Sequence, residues 1–205
     1  MTPSGTSDGP EEAGRLFKDL YAHPSLRSLP EGIPTWVHLA LTQPLGLLNE
    51  SLVAFTGGAF QGASLLCRSA LEAACYVFLT RRKMANTEVA FWLDPPLGLD
   101  GKPRKIEFDE LKAGVLSKKI LTPDQVKALS RIQGHGNVIA HLVSRSDINL
   151  VKPIEERRKL TEWLAPRDAL EDIRDTMDII KRLADSMFQS VPEGERKGPG
   201  REGPA

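Results

Sequence analysis

Apolar residues recur at helical spacing in five segments, which are separated by polar connections rich in proline and glycine. Side chains three or four residues apart share one face of an α-helix. We therefore predict helices at about residues 44–56, 59–83, 108–117, 122–144 and 166–188. No alternating pattern indicates a strand ladder and no internal repeat is present, so the predicted fold class is all-α, a helical bundle of four to five main helices.

Local signals place several helix boundaries. Pro44 suits the first turn of the first helix, and Gly57-Gly58 ends it. The apolar run of residues 36–41 is expected to be an extended piece or the start of a helix. Arg81-Arg82-Lys83 would close the second helix with cations at the negative end of its dipole. Thr122 and Gln125 have capping-box spacing at the start of the fourth helix.

The remaining segments define the domain organisation. Residues 1–34 are predicted to form a disordered or irregular N-terminal arm, within which the apolar spacing of residues 16–21 allows one or two helical turns. Residues 35–189 form a single helical-bundle domain with a loop insertion at 84–106. Residues 190–205 consist mainly of glycine, proline and charged residues and are predicted to be a disordered tail.

Charge and composition exclude several function classes. The 205 residues contain 27 Lys+Arg and 27 Asp+Glu, so the net charge is zero. Nucleic-acid binding through bulk charge needs a basic excess, so a nucleic-acid site here must be local. The N-terminus does not resemble a signal peptide, and no apolar run approaches about 18 residues. We predict a cytoplasmic protein without membrane contact.

The second predicted helix is apolar on most sides, as expected of a central helix in a bundle. Its two cysteines, Cys67 and Cys75, are about 12 Å apart along the axis, too far for a disulfide, and are predicted to be buried, unreactive thiols. Its polar residues share one narrow face and are Gln61, Ser64, Arg68 and Glu72. Arg68 and Glu72 are one turn apart and can form an ion pair.

The densest candidate chemistry lies in residues 131–141, Arg-Ile-Gln-Gly-His-Gly-Asn-Val-Ile-Ala-His. On a helix, Asn137 and His141 are one turn apart, and Arg145 follows one turn later. Arg131 lies about 15 Å from His141 along the axis and is rotated away, so these two cannot act together within one helix. His135 has no evident partner.

Two glycines interrupt this helix, and each costs about 1 kcal/mol relative to alanine. We predict that Gly134 and Gly136 permit close approach to small residues of the second helix, namely Ala63, Ala70, Ala73 and Ala74. That packing would bring Arg68 near Asn137 and His141. Such a cluster could bind an anion or transfer a proton, although a hydrogen-bonded structural role is the more common one for these residue types.

Other chemistry has less support from the sequence. A metal site is not expected because carboxylates do not cluster beside these histidines in sequence, and no cofactor motif is present. The candidate catalytic residues are therefore His141, Asn137 and Arg68. The candidate binding residues are Arg68, Glu72, Asn137, His141 and Arg145.

Three short motifs resemble the domain-of-unknown-function family 4145. They are Cys-Arg-Ser-Ala-Leu-Glu at 67–72, Gly-Asn-Val-Ile-Ala-His at 136–141 and Pro-Arg-Asp-Ala-Leu-Glu at 166–171. That family is similar to the HEPN superfamily of helical bundles. The resemblance implies a HEPN-like fold, a homodimer formed through helical faces, and a role in a defence or regulatory system with RNA or a protein as partner.

The chain departs from the active members of that superfamily. In those proteins an Arg lies four to six residues before the catalytic His, and the residues are brought together across a dimer. Gly136 stands where that Arg would be, next to Asn137. The sequence therefore favours a non-catalytic binding or interaction domain. The alternatives are a metal-independent endoribonuclease that uses His141 with an Arg, and a nucleotide or small-ligand sensor.

Overall fold

The structure, a computed structural model, describes residues 11, 14–16, 18–19, 22, 35–83, 91–93, 97, 101–102, 104–144 and 164–189. Residues 35–38, 81–83, 91–93, 141–144 and 188–189 are described by their backbone alone. The predicted C-terminal tail and most of the 84–106 insertion lie outside these ranges. In the N-terminal arm, the described residues are helical, and Leu16 is 3% exposed within the apolar core.

The fold is an all-α helical bundle, as predicted. Its helices are α1 (Thr35–Thr56), α2 (Phe60–Thr80), α3 (Phe108–Ser117), α4 (Pro123–Ser144) and α5 (Pro166–Gln189). The central helix is α2, which packs against each of the other four. Its fully buried residues Cys67, Leu71 and Ala74 face an apolar core to which every one of these helices contributes.

The first helix is longer than predicted, because α1 begins at Thr35 and contains Pro44 in its interior. The prediction that Pro44 occupies the first turn was therefore wrong, and the alternative of a helical start for residues 36–41 was right. An interior proline removes one helical hydrogen bond and costs about 3 kcal/mol. Burial of the apolar residues on both sides, including the fully buried Leu41 and Leu48, offsets that cost.

The predicted glycine stop of α1 is confirmed in detail. Gly58 has φ of 80°, a left-handed conformation that glycine adopts without steric cost. The amides of Gly58 and Ala59 donate to the carbonyls of Phe55 and Ala54 at 3.0 and 2.8 Å. This is the hydrogen-bond pattern of a Schellman motif, and it sets the direction in which the chain enters α2.

The second helix ends at Thr80, so the prediction that residues 81–83 close it was wrong. Arg81–Lys83 instead forms a short strand, β1, which pairs antiparallel with β2 at Phe91–Leu93. Three-residue strands carry too little alternation for the sequence pattern to reveal them. They are an appendage to the bundle and do not change its all-α class.

The fourth helix begins with the predicted capping box. The amide of Gln125 donates to Thr122 Oγ1 at 3.2 Å, and the amide of Thr122 donates to Gln125 Oε1 at 3.0 Å. These reciprocal bonds satisfy two donors that would otherwise lack partners at a helix start. They place the beginning of α4 and so the position of every polar side chain along it.

The turn between α3 and α4 contains a strained residue. Lys119 has φ of 54°, whereas Lys118 has an ordinary helical φ of −78°. A left-handed conformation costs an L-residue about 1–2 kcal/mol. The position follows the C-cap of α3, where glycine is the usual residue.

We predict that Lys119→Gly raises the free energy of unfolding by about 0.5–1 kcal/mol, because glycine relieves the left-handed strain. Lys118→Gly is the matched control and should lower stability, since glycine there only adds unfolded-state entropy. Urea denaturation of both variants measures the difference. A Lys119→Gly protein less stable than the wild type would contradict this account.

Candidate functional site: the polar contacts of helix α4

Helix α4 contacts three neighbouring helices through polar side chains. Asn137 faces α2, Gln133 faces α3, and Arg131 and His135 face α5. Residues four apart on a helix share a face, which accounts for Arg131 and His135 acting together. The stretch singled out by the sequence is thus the part of α4 through which the helix is attached to the bundle.

The contact between α2 and α4, here called the α2–α4 seam, consists of Arg68, Glu72, Asn137 and Gly136. Arg68 Nε donates to Asn137 Oδ1 at 3.0 Å, and Arg68 Nη1 lies 3.3 Å from Glu72 Oε2. The guanidinium also stacks at 5.6 Å from the centroid of the Phe108 ring. Both the predicted Arg68–Glu72 pair and the approach of Arg68 to Asn137 are confirmed.

Gly136 is the point of closest approach in this seam. A Cβ added there would lie 2.2 Å from Cδ and 2.6 Å from Cβ of Arg68, so no other residue fits without movement. The predicted close approach to α2 is correct for Gly136, but the neighbour is the stem of Arg68 and not the alanines. For Gly134 the prediction was wrong, because a Cβ there would meet nothing within 4 Å.

The contact between α4 and α5, here called the α4–α5 cluster, comprises Arg131, His135, Glu171, Asp172 and Asp175. Arg131 Nε donates to Asp172 Oδ1 at 3.2 Å, and its Nη2 donates to Asp175 Oδ2 at 2.7 Å. Its Nη1 donates to Glu171. His135 Nδ1 lies 2.8 Å from Asp172 Oδ2, an arrangement that places a proton on Nδ1 because an ionised carboxylate only accepts.

Asp172 is the centre of this cluster. Its side chain is fully buried, whereas those of Arg131 and His135 are 31% and 20% exposed. A buried charge is tolerated only when it is paired and hydrogen-bonded, and here each carboxylate oxygen has a partner on α4. The cluster therefore ties the position of α4 to that of α5.

The electrostatics of the cluster follow from partial burial and from its three carboxylates. Partial burial opposes the charge of Arg131, but the hydrogen bond with Asp175 and the nearby acids raise the pKa of this guanidinium further above its usual range. Burial also raises the pKa of Asp175, against the opposing effect of Arg131. Arg131 is thus permanently charged and fully committed to its acidic partners.

The expectation that His135 lacks a partner was wrong. In space Asp172 lies beside His135, although no carboxylate lies close to this histidine in the sequence. Even so, the described residues contain no group of three or more His, Cys, Asp or Glu side chains placed to hold a metal ion. The sequence did carry one signal for this cluster, because Glu171 and Asp172 each lie about one helical turn before Asp175. Nothing in the sequence indicated which helix these acidic side chains face.

Gln133 links α4 to α3 and was not predicted. Lys112 Nζ donates to Gln133 Oε1 at 2.6 Å, and Gln133 Nε2 donates to Asp109 Oδ1 at 2.8 Å. Gln133 is only 6% exposed, and its amide oxygen and amide nitrogen each have a hydrogen-bond partner within the bundle. The bond from Gln133 lowers the pKa of Asp109.

The cysteines are unreactive by environment, as predicted. Cys67 and Cys75 are free and buried, and burial raises the pKa of each thiol to about 12. A thiolate nucleophile is therefore not available at neutral pH. Cys67 contributes to packing beside Ser51 and Thr176 in the centre of the bundle.

The backbone of His141 lies one turn beyond Asn137 on α4, which extends to Ser144. The imidazole of His141, and all of Arg145, lie outside the described structure. Of the predicted site residues, the structure thus brings together Arg68, Glu72 and Asn137.

Comparisons with protein-family models, curated proteins and solved structures found no match to this chain. The resemblance to family 4145 stays a prediction that depends on its three short motifs.

One described helix, α2, is long and apolar enough to cross a membrane, and 44% of its apolar window is buried within the bundle. A central core helix has the same composition, and Arg68 and Glu72 lie within this one.

We predict opposite effects for alanine at the two glycines of α4. Gly136→Ala should lower the free energy of unfolding by about 1–3 kcal/mol, because the new methyl group displaces the stem of Arg68. Gly134→Ala, the matched control, should raise it by about 1 kcal/mol through helix propensity alone. Chemical denaturation compares the two, and equal effects would contradict the proposed close approach.

Asp172→Asn should lower stability by about 3 kcal/mol at pH 7, because a neutral amide replaces the charge that pairs with Arg131 and His135. Asp178→Asn, at an exposed position of the same helix, should change stability by less than about 0.5 kcal/mol. Thermal and urea unfolding measure both. Similar small effects at the two positions would show that the buried carboxylate does not anchor α4.

Proposed function

We propose that this chain is a non-catalytic helical binding module whose candidate binding surface is the α2–α4 seam and the turn of α4 that follows it. The observation that carries the proposal is the pairing of its central arginines. A ribonuclease needs an arginine free to neutralise phosphate, and the two arginines that the described part of the structure places at the candidate residues of α4, Arg68 and Arg131, already have acidic partners.

Arg68 is the first of these two arginines. Its guanidinium is held by Glu72 and Asn137 and stacked on Phe108, with the side chain 23% exposed. A phosphate would have to compete with the Glu72 carboxylate one turn away. This arrangement supports a positioned recognition residue, since an arginine fixed on several sides loses little freedom on binding.

Arg131 is the second arginine, and it has more acidic partners than Arg68. Three carboxylates of α5 surround it, so the local charge at this surface is negative. An RNA backbone would be repelled there. Together with the zero net charge of the chain, this favours a protein as partner over RNA.

The setting of the module comes from the family resemblance alone, which points to a defence or regulatory system. The ribonuclease alternative retains one supporting observation: Asn137, which accepts from Arg68, is one turn before His141 on α4. In that reaction the imidazole would take the proton of a ribose 2′-hydroxyl, and the 2′-oxygen would attack the adjacent phosphorus. The bond from phosphorus to the 5′-oxygen of the next nucleotide would break, the departing 5′-oxygen would take up a proton, and a 2′,3′-cyclic phosphate would remain.

The test is to incubate purified protein with 5′-labelled RNA in the presence of EDTA. We expect no cleavage above that of His141→Ala, because Arg68 and Arg131 already pair with acidic side chains. Fluorescence anisotropy with the same RNA should show binding no tighter than about 10⁻⁴ M at physiological salt, the weak end of non-specific association.

Cleavage that leaves 2′,3′-cyclic phosphate ends and disappears in His141→Ala would overturn the proposal in favour of the ribonuclease. Asn137→Ala serves as the matched variant of the α2–α4 seam, because it should lower the free energy of unfolding without changing RNA cleavage or RNA binding. A nucleotide that raises the melting temperature of the wild type, and not of Asn137→Ala, would instead favour the sensor.

A further inference from the structure

Three helices each contribute a hydroxyl or a thiol group to one point in the apolar core. Ser51 of α1, Cys67 of α2 and Thr176 of α5 are fully buried. Burial raises the pKa of the Cys67 thiol to about 12, whereas the hydroxyls of Ser51 and Thr176 act to lower it. Both hydroxyls therefore lie beside the same sulfur atom. The charge of Asp172 also acts on this thiol, so the buried carboxylate of the α4–α5 cluster lies near the same point.

The hydroxyl of Thr176 lacks the hydrogen bond that other helical hydroxyls of this chain make. Those of Ser51, Ser69 and Thr80 donate to a carbonyl one turn earlier in their own helices, at 2.7, 3.1 and 2.7 Å. Thr176 Oγ1 makes no such bond, and within the described residues it has no hydrogen-bond partner of normal geometry. The nearby thiol is only a weak partner. A buried hydroxyl left unpaired lowers the stability of a protein, so this one calls for a partner.

Asp172 lies one turn before Thr176 on the same face of α5. Residues four apart on a helix have Cβ atoms about 5–6 Å apart, a distance that one water can span with two hydrogen bonds of about 2.8 Å. Each carboxylate oxygen of Asp172 accepts one bond from α4, from Arg131 and from His135. A carboxylate oxygen has two lone pairs, so Asp172 can accept a further bond.

We propose that one internal water molecule is bound between Thr176, Asp172 and Ser51 and links the α4–α5 cluster to the centre of the bundle. The hydroxyl of Thr176 donates to the water oxygen. One hydrogen of the water is donated to the carboxylate of Asp172, and the other is donated to Ser51 Oγ. A buried water normally makes about three hydrogen bonds, the number that these groups provide.

The donors and acceptors of the site match those of a water molecule. Ionised Asp172 can only accept, and Ser51 can only accept because its own proton is donated to the carbonyl of Leu48. Thr176 is the single donor. Two acceptors and one donor are therefore present, and a water supplies two donors and an acceptor. An anion would be repelled by the Asp172 carboxylate, so the ligand that this site fits is neutral and donates twice.

Thr176→Val tests the site through the sign of its effect on stability, since valine has nearly the shape of threonine but no hydroxyl. If the water is bound, the variant loses it, and the unfolding equilibrium constant should rise about ten-fold in urea denaturation. If the hydroxyl is merely unpaired, valine removes an unfavourable buried group, and the variant should be more stable than the wild type. The more stable variant would overturn the proposal.

Thr80→Val is the matched control. Thr80 is 5% exposed, and its hydroxyl donates to the carbonyl of Tyr76 in its own helix. Because hydroxyl bonds of this kind add little to helix stability, the unfolding equilibrium constant should change less than about three-fold.

Magnetic relaxation dispersion of the water oxygen nuclei counts long-lived internal waters in the full chain. Thr176→Val should contain one fewer than the wild type, whereas Thr176→Ser, which keeps the hydroxyl, and Thr80→Val should contain the same number as the wild type. In a high-resolution crystal structure of the wild type, the water should lie within about 3 Å of Thr176 Oγ1 and of a carboxylate oxygen of Asp172. An unchanged count in Thr176→Val, or a wild-type crystal structure without this water, would show that the site does not exist.

Discussion

The backbone of α4 lies against the side chain of Arg68 on α2 with no room for a single methyl group at Gly136. The other polar contacts of α4 depend on this approach. It brings Asn137 within hydrogen-bonding distance of Arg68, and it rotates α4 so that Arg131 and His135 point towards α5. Gln133 is then left to face α3.

Helix α4 is consequently held by a different polar contact on each side. A buried amide faces α3, a guanidinium–amide pair faces α2, and a buried carboxylate of α5 accepts from two side chains of α4. Buried ionic groups add little net stability compared with apolar packing, because desolvation cancels much of their attraction. They do require a particular alignment, so we infer that they select the position of α4 among alternatives that bury similar apolar area.

This arrangement also bears on chemistry. Two of the three candidate catalytic residues from the sequence, Arg68 and Asn137, are among the residues that attach the helix. Arg68 and Arg131 have acidic partners, His135 is held by Asp172, and both thiols are buried with raised pKa values. A site built from groups already engaged with one another is suited to presenting a fixed surface, which is the basis for proposing a binding module.

Much of the fold could be predicted from local pattern. The bounds of α3, the capping box of α4 and the glycine stop of α1 follow from interactions between residues a few positions apart. Pro44 was misplaced because local propensity disfavours an interior proline, and burial of the surrounding apolar residues outweighed that preference. The short strands escaped prediction because three residues show no period.

The candidate site could be predicted only in part. The sequence by itself determined that α4 has two glycines, an Arg and a His one turn apart, and a following Asn–His pair, since helical geometry sets these relations. It also paired Arg68 with Glu72. Only the tertiary structure decided that Asp172 is the partner of His135 and that Gly136, not Gly134, is the close contact. The rotation of a helix about its axis depends on packing against all its neighbours at once, and no local pattern encodes that.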